Sequence, residues 1–252
     1  MRFLQTPRRL GLMLAAMMLT AGSARADLVL ETETARLGEK GTGTIGNAVQ
    51  IERDSSGYTL RTLTAFEFVP FDRLEVLIEP FFYEEQHPKG GPVVRGRGDT
   101  ELTFSYIAFE EQGPRPEIVF AFKTKLPTAS SAIGTGKYDF TGYLVLGKKI
   151  GEWDFNGNIA FETFGSPVGT QLKNQLILDL SADRQISKTW SVYAETFGNS
   201  SPEAGINRTI AAAIGLEHDF AAHFNAFSSL GFDTEPSHHL SGGPQLHLVG
   251  GA

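Results

Sequence analysis

Apolar and polar residues alternate along most of this chain in stretches of about ten, the length of a tilted strand that crosses a bilayer. The rhythm is cleanest where Trp153, Phe155, Gly157, Ile159 and Phe161 fall on one side and Asp154, Asn156, Asn158, Ala160 and Glu162 on the other. Such period-two alternation means a strand with one apolar and one wet face. Leu102, Phe104 and Tyr106 oppose Glu101, Thr103 and Ser105 in the same way, and Leu176, Leu178 and Leu180 oppose Gln175, Asp179 and Ser181. Ile118, Phe120 and Phe122 oppose Val119, Ala121 and Lys123. Near the C-terminus the wet side narrows to Ala211, Ala213, Gly215 and Glu217, which suggests a crowded interior.

This pattern predicts twelve strands, at 42–53, 58–69, 74–84, 99–111, 117–126, 139–149, 153–164, 173–183, 189–197, 208–218, 223–232 and 243–249. From the second strand onward the connections alternate between short turns (70–73, 112–116, 150–152, 184–188, 219–222) and longer loops rich in Gly, Ser and Pro (85–98, 127–138, 165–172, 198–207, 233–242). A soluble sandwich has no reason to sort its loops this way. An outer-membrane barrel does, with short periplasmic turns on one rim and longer extracellular loops on the other. The one short outer connection is Asp54-Ser55-Ser56-Gly57, where glycine supplies a tight hairpin. The expected fold is therefore all-β: a closed, up-and-down antiparallel transmembrane barrel of about twelve strands, free of the unpaired edges that hydrocarbon forbids. Trp153, Trp190, Phe71, Phe220 and Phe224 beside the short turns, and Phe81, Phe82, Tyr83, Tyr138, Phe140, Phe164 and Phe197 at the other rim, are candidates for the two aromatic girdles.

The first residues set the route to that membrane. Arg2, Arg8 and Arg9, the apolar run 10–20 and Ala24-Arg25-Ala26 follow the order of a secretory signal peptide, with cleavage expected after Ala26. The division is thus a leader (1–26), a periplasmic N-terminal segment (27–41) and the barrel (42–252). The leader's only charges are four arginines, so the mature chain is more acidic than the −7 of the whole, which excludes a basic nucleic-acid footprint. There are no cysteines, so neither disulfides nor a thiolate metal site contributes. A mean hydropathy of −0.13 is compatible with a membrane barrel because only alternate residues face lipid. Outer-membrane lipids and the barrel insertion machinery are the expected partners, and no cofactor or metal is implied.

If the apolar faces meet lipid, the lumen holds Arg61, Glu67, Glu75, Glu79, Glu101, Lys123, Lys125, Asp154, Glu162, Asp179, Glu195 and Glu217, with Asn156 and Asn158 among them. Nine of those charges are acidic and three basic, so an open aqueous path would favour cations or neutral solutes. The same charges could instead pair into a rigid plug. The leading expectation is a channel for passive uptake of small, hydrophobic or aromatic solutes. The alternatives are a plugged structural or binding barrel and, further off, a lipid-modifying enzyme, which would need a histidine beside a serine or acid at the outer rim. The run Gly134-Thr135-Gly136-Lys137 lacks the glycine and hydroxyl residue that a phosphate-binding loop requires at Ser131 and Tyr138. Of the six histidines, His87, His218, His223, His238, His239 and His247, the second and third flank a periplasmic turn, and the His238-His239 pair beside Ser237 and Ser241 reads as a solvated outer loop ahead of a metal or catalytic role.

Three runs carry a family resemblance: Arg95-Gly96-Arg97-Gly98-Asp99-Thr100-Glu101-Leu102, then Lys123-Thr124-Lys125-Leu126-Pro127-Thr128, then Gly134-Thr135-Gly136-Lys137-Tyr138-Asp139. With the Phe71-Asp72-Arg73-Leu74-Glu75 turn, they resemble the outer-membrane barrel family labelled phenol-degradation meta-pathway transporters. The resemblance spans most of the mature chain and implies a barrel, an outer-membrane location and transport linked to aromatic catabolism. Two departures stand out: Ala129 occupies a usual glycine position, and Leu248-Val249-Gly250-Gly251-Ala252 lacks the aromatic residue typical of a barrel C-terminus.

Overall fold

The computed structural model describes residues 32–53, 56–200, 209–221, 224–233 and 245–251. The expected leader and its cleavage site lie outside them, as do Asp54 and Ser55 of the tight outer turn, His223, His238 and His239. The strands are β1 Gly43–Arg53, β2 Gly57–Phe71, β3 Leu74–Pro88, β4 Val94–Gly96, β5 Thr100–Phe109, β6 Glu117–Leu126, β7 Asp139–Ile150, β8 Trp153–Phe164, β9 Gln175–Gln185, β10 Trp190–Asn199, β11 Thr209–Ala221, β12 Phe224–Asp233 and β13 Gln245–Gly251. The twelve expected strands are all present. They differ mainly at their ends, β3 running on to Pro88 and β11 to Ala221.

Each strand lies antiparallel beside its sequence neighbour, except that three-residue β4 is a side branch on the outer end of β3, which pairs below it with β5. The circle closes where β13 pairs with β1, from Gly46 opposite Gly251 to Ile51 opposite Leu246. Twelve strands thus form a ring without a free edge, the arrangement that satisfies every backbone N–H and C=O in hydrocarbon. Local chemistry makes the short turns tight. Ile150 pairs with Trp153 across a two-residue loop whose first member, Gly151, has φ 64°, a conformation glycine adopts without strain.

Alternation sorts the side chains as expected. Phe104, Phe120, Phe122, Phe140, Ile159, Phe161, Leu178, Leu180 and Ile214 stand exposed on the outer wall. In water that surface would be a severe liability, but against lipid tails it is the proper solvent-facing wall. One register break was not expected. Thr62 faces Tyr83 while Leu63 faces Phe81, so Phe82 is an extra residue and β3 carries a bulge. Inward positions therefore switch from Glu75, Leu77, Glu79 and Phe81 to Glu84 and Gln86. Phe81, expected in the outer girdle, turns into the lumen, where the Arg61 guanidinium lies 6.0 Å from its ring.

The N-terminal segment corrects a second expectation. Residues 32–38 do not form a free periplasmic tail but line the inside of the ring. The Gly41 N–H donates to the Val69 carbonyl at the periplasmic rim, and Lys40 pairs with Asp72 in the adjoining turn at 3.2 Å. From there the chain runs backward into the lumen, where Ala35 packs on Val119, Ala121, Tyr143, Val145 and Ala160. The physical reason is charge and space. An inner wall rich in acids and small residues offers hydrogen-bond acceptors and room, which this short polar segment occupies.

Candidate functional site

All fourteen inward residues read from the sequence occupy inner-wall positions: Arg61 and Glu67 on β2, Glu75 and Glu79 on β3, Glu101 on β5, and Lys123 and Lys125 on β6. Asp154, Asn156, Asn158 and Glu162 follow on β8, Asp179 on β9, Glu195 on β10 and Glu217 on β11. They fall into three levels along the ring.

At the periplasmic level Arg36 is the hub. Its Nε donates to Asp154 at 2.8 Å, one Nη to Glu117 at 3.0 Å and the other to Glu111 at 2.5 Å. Glu75 accepts from the Gly38 N–H at 3.0 Å. Glu111, in the turn after β5, also accepts from Lys148 at 2.7 Å, and this bond, followed by the one from Arg36, holds its carboxyl down to about 2. Midway up, Asn156 accepts from the Ala35 N–H at 3.0 Å, and Glu195 accepts from both the N–H and the hydroxyl of Thr32 at 3.1 and 2.9 Å. Lys123 bonds Glu33 at 2.8 Å, approaches Glu101 at 3.9 Å and lies 5.6 Å from the Tyr143 ring centre. At the outer level Lys125 pairs with Asp139 and with Asp99 at 3.7 Å, and Arg61 pairs with Glu52 at 3.2 Å and Glu84 at 3.8 Å.

Sequence reasoning missed Glu33, Arg36, Asp99 and Asp139. The nine-to-three excess of inward acids was the available signal, since buried charge seeks a partner and Arg36 and Lys40 are the cations just ahead of the first strand.

Two apolar clusters are set into the inner wall among these charged and polar residues. Tyr193 lies over Gly215 of β11, where a Cβ would stand 2.0 Å from its hydroxyl, and donates its hydroxyl proton to the Ser228 carbonyl at 3.2 Å. It joins Phe227, Ala48 and Ala65, with Leu63 and Leu77 packed against them, in a cluster contributed by β1, β2, β3, β10 and β12. With the Ala35 cluster on the opposite wall, apolar side chains occupy both sides of the ring's middle.

The outer mouth is partly roofed by the connection between β6 and β7. Ser130 exchanges hydrogen bonds with the Arg97 backbone, its N–H donating to the carbonyl at 2.9 Å and its hydroxyl accepting from the amide at 2.9 Å. The Ala129 N–H donates to Asp99 at 2.8 Å, and the hydroxyls of Thr128 and Thr100 meet at 3.0 Å. Gly96 leaves no room to spare, because a Cβ there would stand 1.9 Å from the Ser130 hydroxyl oxygen. Beneath this roof is a cavity of about 220 Å³ lined by Arg61, Phe81, Glu84, Lys125 and Ile133 among others.

Arg97, Asp99, Thr100 and Thr128 among the stitched residues belong to the Arg95–Leu102 and Lys123–Thr128 runs, and a family profile described as "Putative MetA-pathway of phenol degradation" matches residues 34–243. The chain belongs to that family. Among solved structures, it is similar to the COG4313 outer membrane channel from Pseudomonas putida F1, at 14% identity and a TM-score of 0.64 over 92% of this chain and 98% of that one. A KdgM porin in complex with oligogalacturonate is similar at 13% identity and a TM-score of 0.53, covering 82% of this chain and 96% of its own. The NanC porin follows at 9% identity and a TM-score of 0.56, over 82% and 97%. No curated protein matches the sequence. The family member described here is thus an outer-membrane β-barrel, with the fold that channels use.

One cluster bears on the enzymatic alternative. On the outside of β3, His87 bonds Glu85 and stacks on Tyr58 at 4.1 Å, but Glu85 is also held by Tyr83 and by Arg95 at 2.7 Å. Three partners converge on the Glu85 carboxylate and Tyr58 stacks on one of them, which makes a clasp between β2, β3 and β4.

Proposed function

We propose that this protein is a passive outer-membrane conduit for small, mainly apolar solutes, monoaromatic compounds among them, and that it conducts ions poorly. The observation that carries this reading is the pair of apolar clusters that face each other across the lumen, Tyr193, Phe227, Leu63 and Leu77 on one wall and Ala35 with its neighbours on the other. An apolar constriction sheds water, so an ion must lose hydration to cross it, whereas an apolar solute exchanges one apolar surface for another. The paired charges above and below keep the two mouths wetted. They give the inward acids a structural partner instead of leaving a cation-attracting ring. The solute path then runs past Arg61 and Lys125 at the outer side, Lys123 and Glu101 midway, and Asp154, Glu75 and Glu217 at the periplasmic side. No catalytic step belongs to this reading, and the family's description and the channels of like fold support it.

The lodged N-terminal segment favours a second reading, a barrel whose lumen stays closed. Planar-bilayer conductance and liposome entry with the refolded mature protein separate the two. The conduit reading expects small ion currents alongside toluene entry well above that of empty liposomes. If toluene fails to enter both with the segment present and after removal of residues 27–38, the conduit reading is lost and the closed barrel stands.

A further inference from the structure

We infer that a trough in the lipid-facing wall, running along the outer half of β10, holds one saturated acyl chain of a phosphorylated outer-leaflet lipid, lipid A. The inference is independent of the conduit reading, since the trough lies outside the ring. It encloses about 380 Å³ between Leu176, Leu178 and Leu180 of β9 and Ile210 of β11, with Thr196 and Gly198 as its floor.

Side-chain size along three neighbouring strands creates this shape. Outward positions on β10 and just beyond it are small in succession: Ala194, Thr196, Gly198 and Ser200. Register places tall neighbours beside that floor, Leu180 opposite Thr196, and Leu178 and Ile210 on either side of Gly198. The two strands that flank β10 are about 10 Å apart, so side chains rising from both leave a gap one hydrocarbon chain wide. From Thr196 to Ser200 the floor runs about 13 Å. Elsewhere on the wall Phe104, Phe120, Phe122 and Phe161 fill outward positions.

The hydroxyl groups of the floor are committed to the backbone. Thr196 donates to the Ala211 carbonyl at 3.0 Å, and the Ser200 hydroxyl accepts from the Leu176 N–H at 2.8 Å. A surface built partly from hydroxyl residues is thereby apolar, which suits a lipid chain and gives a polar ligand nothing to bond.

Shape and charge select the occupant. A chain already in the bilayer gains no hydrophobic free energy by entering, so preference arises from close contact and from the headgroup. A straight trough one chain wide favours a saturated chain, because a cis double bond bends the chain off the floor. At the extracellular end, exposed Lys173 precedes the Leu176 ridge by three residues. A lipid phosphate at that level is attracted to its ammonium, and lipid A combines phosphates with saturated chains in the outward-facing leaflet.

The test counts lipid bound per barrel by native mass spectrometry of the refolded mature protein. Lipid A, dipalmitoyl phosphatidylglycerol and dioleoyl phosphatidylglycerol are compared at matched concentration. One lipid A is expected to stay bound, about fivefold more tightly than the dipalmitoyl lipid, with the dioleoyl lipid weakest. Gly198→Leu fills the floor and should weaken lipid A binding about tenfold, as should Leu178→Ala, which removes part of a ridge. Lys173→Gln should weaken it about fivefold. Phe120→Leu, on the lipid wall of β6, should leave it unchanged. Heat-modified gel mobility identifies a variant that has not folded, and Leu178→Ala then decides the question for Gly198→Leu. Dipalmitoyl phosphatidylglycerol bound as tightly as lipid A would overturn the lipid A assignment, and dioleoyl bound as tightly as dipalmitoyl would overturn the saturated chain. Lipid A binding unchanged by Gly198→Leu and Leu178→Ala, or reduced as much by Phe120→Leu, would overturn the site. A dimer of the parent protein that Gly198→Leu dissociates would give the trough to a second copy and overturn the lipid.

Discussion

Arg36 shows how a single side chain can join an otherwise separate segment to the barrel wall. It serves Asp154, Glu117 and Glu111 together, so removing it leaves three carboxylates facing one another around a vacated site. Breaking a buried pair costs about 3–5 kcal/mol, and partial exposure of this cluster reduces that to about 1–2 kcal/mol for Arg36→Gln. The readout is a larger single-channel conductance with unchanged folding on gels. Glu111 adds a pH dependence with a definite sign. Its carboxyl is held down to about 2 in the folded protein by Lys148 and Arg36, against about 4.3 when free. A depressed acid contributes its stabilisation fully above the free value and loses it as pH falls toward the folded one. Conductance should therefore be flat above about pH 5 and rise between about pH 4 and pH 2, with Glu111→Gln raised at neutral pH and flatter below. Glu117 and Asp154 share Arg36, so the variant should keep part of the response.

At the scale of elements, the N-terminal segment and β7 meet at Gly147, where an added Cβ would stand 2.4 Å from that of Ala35. Gly147→Leu should expel residues 32–38 from the lumen while the ring stays closed, raising conductance and exposing the segment to protease. Gly142→Leu on the same strand points into open space and serves as the matched control. The contrast between β7 and the segment also marks what the sequence could reveal. Strands and their connections were legible because lipid on one side and a wet lumen on the other enforce period-two alternation over ten residues at a time. Residues 32–38 obey no such constraint. Thr32-Glu33-Thr34-Ala35-Arg36 reads as an ordinary polar tail until the acids of the opposite wall are placed around it. Phe81 keeps the inward alternation of Glu75 and Glu79, while the extra residue at Phe82 reverses the facing beyond it and turns Glu84 inward. The family runs were visible as motifs, but their work, fastening the β6–β7 connection over the mouth, depends on contacts between residues about thirty apart, such as Ser130 with Arg97.

For the whole molecule, the two faces of the ring should answer the same substitution in opposite ways. An arginine at Ile214, on the lipid wall, confronts hydrocarbon and should cost about 2–4 kcal/mol near the bilayer midplane, measured by urea unfolding in vesicles. A charge at Leu77, inside, meets Tyr193, Phe227, Ala48 and Ala65 instead of lipid, and water can follow it from either mouth. Leu77→Asp should therefore leave the barrel inserted yet wet the apolar middle, with a higher ion conductance and slower toluene entry relative to the parent. If the middle is instead blocked by the N-terminal segment alone, Leu77→Asp changes neither quantity and Gly147→Leu changes both. The two variants, each tested alone and then together, separate a lumen closed by its own wall from one closed by its lodged tail. Effects that add in the logarithm of conductance would mean that wall and tail act as independent barriers, and a shortfall would mean that the two share one constriction between the facing clusters.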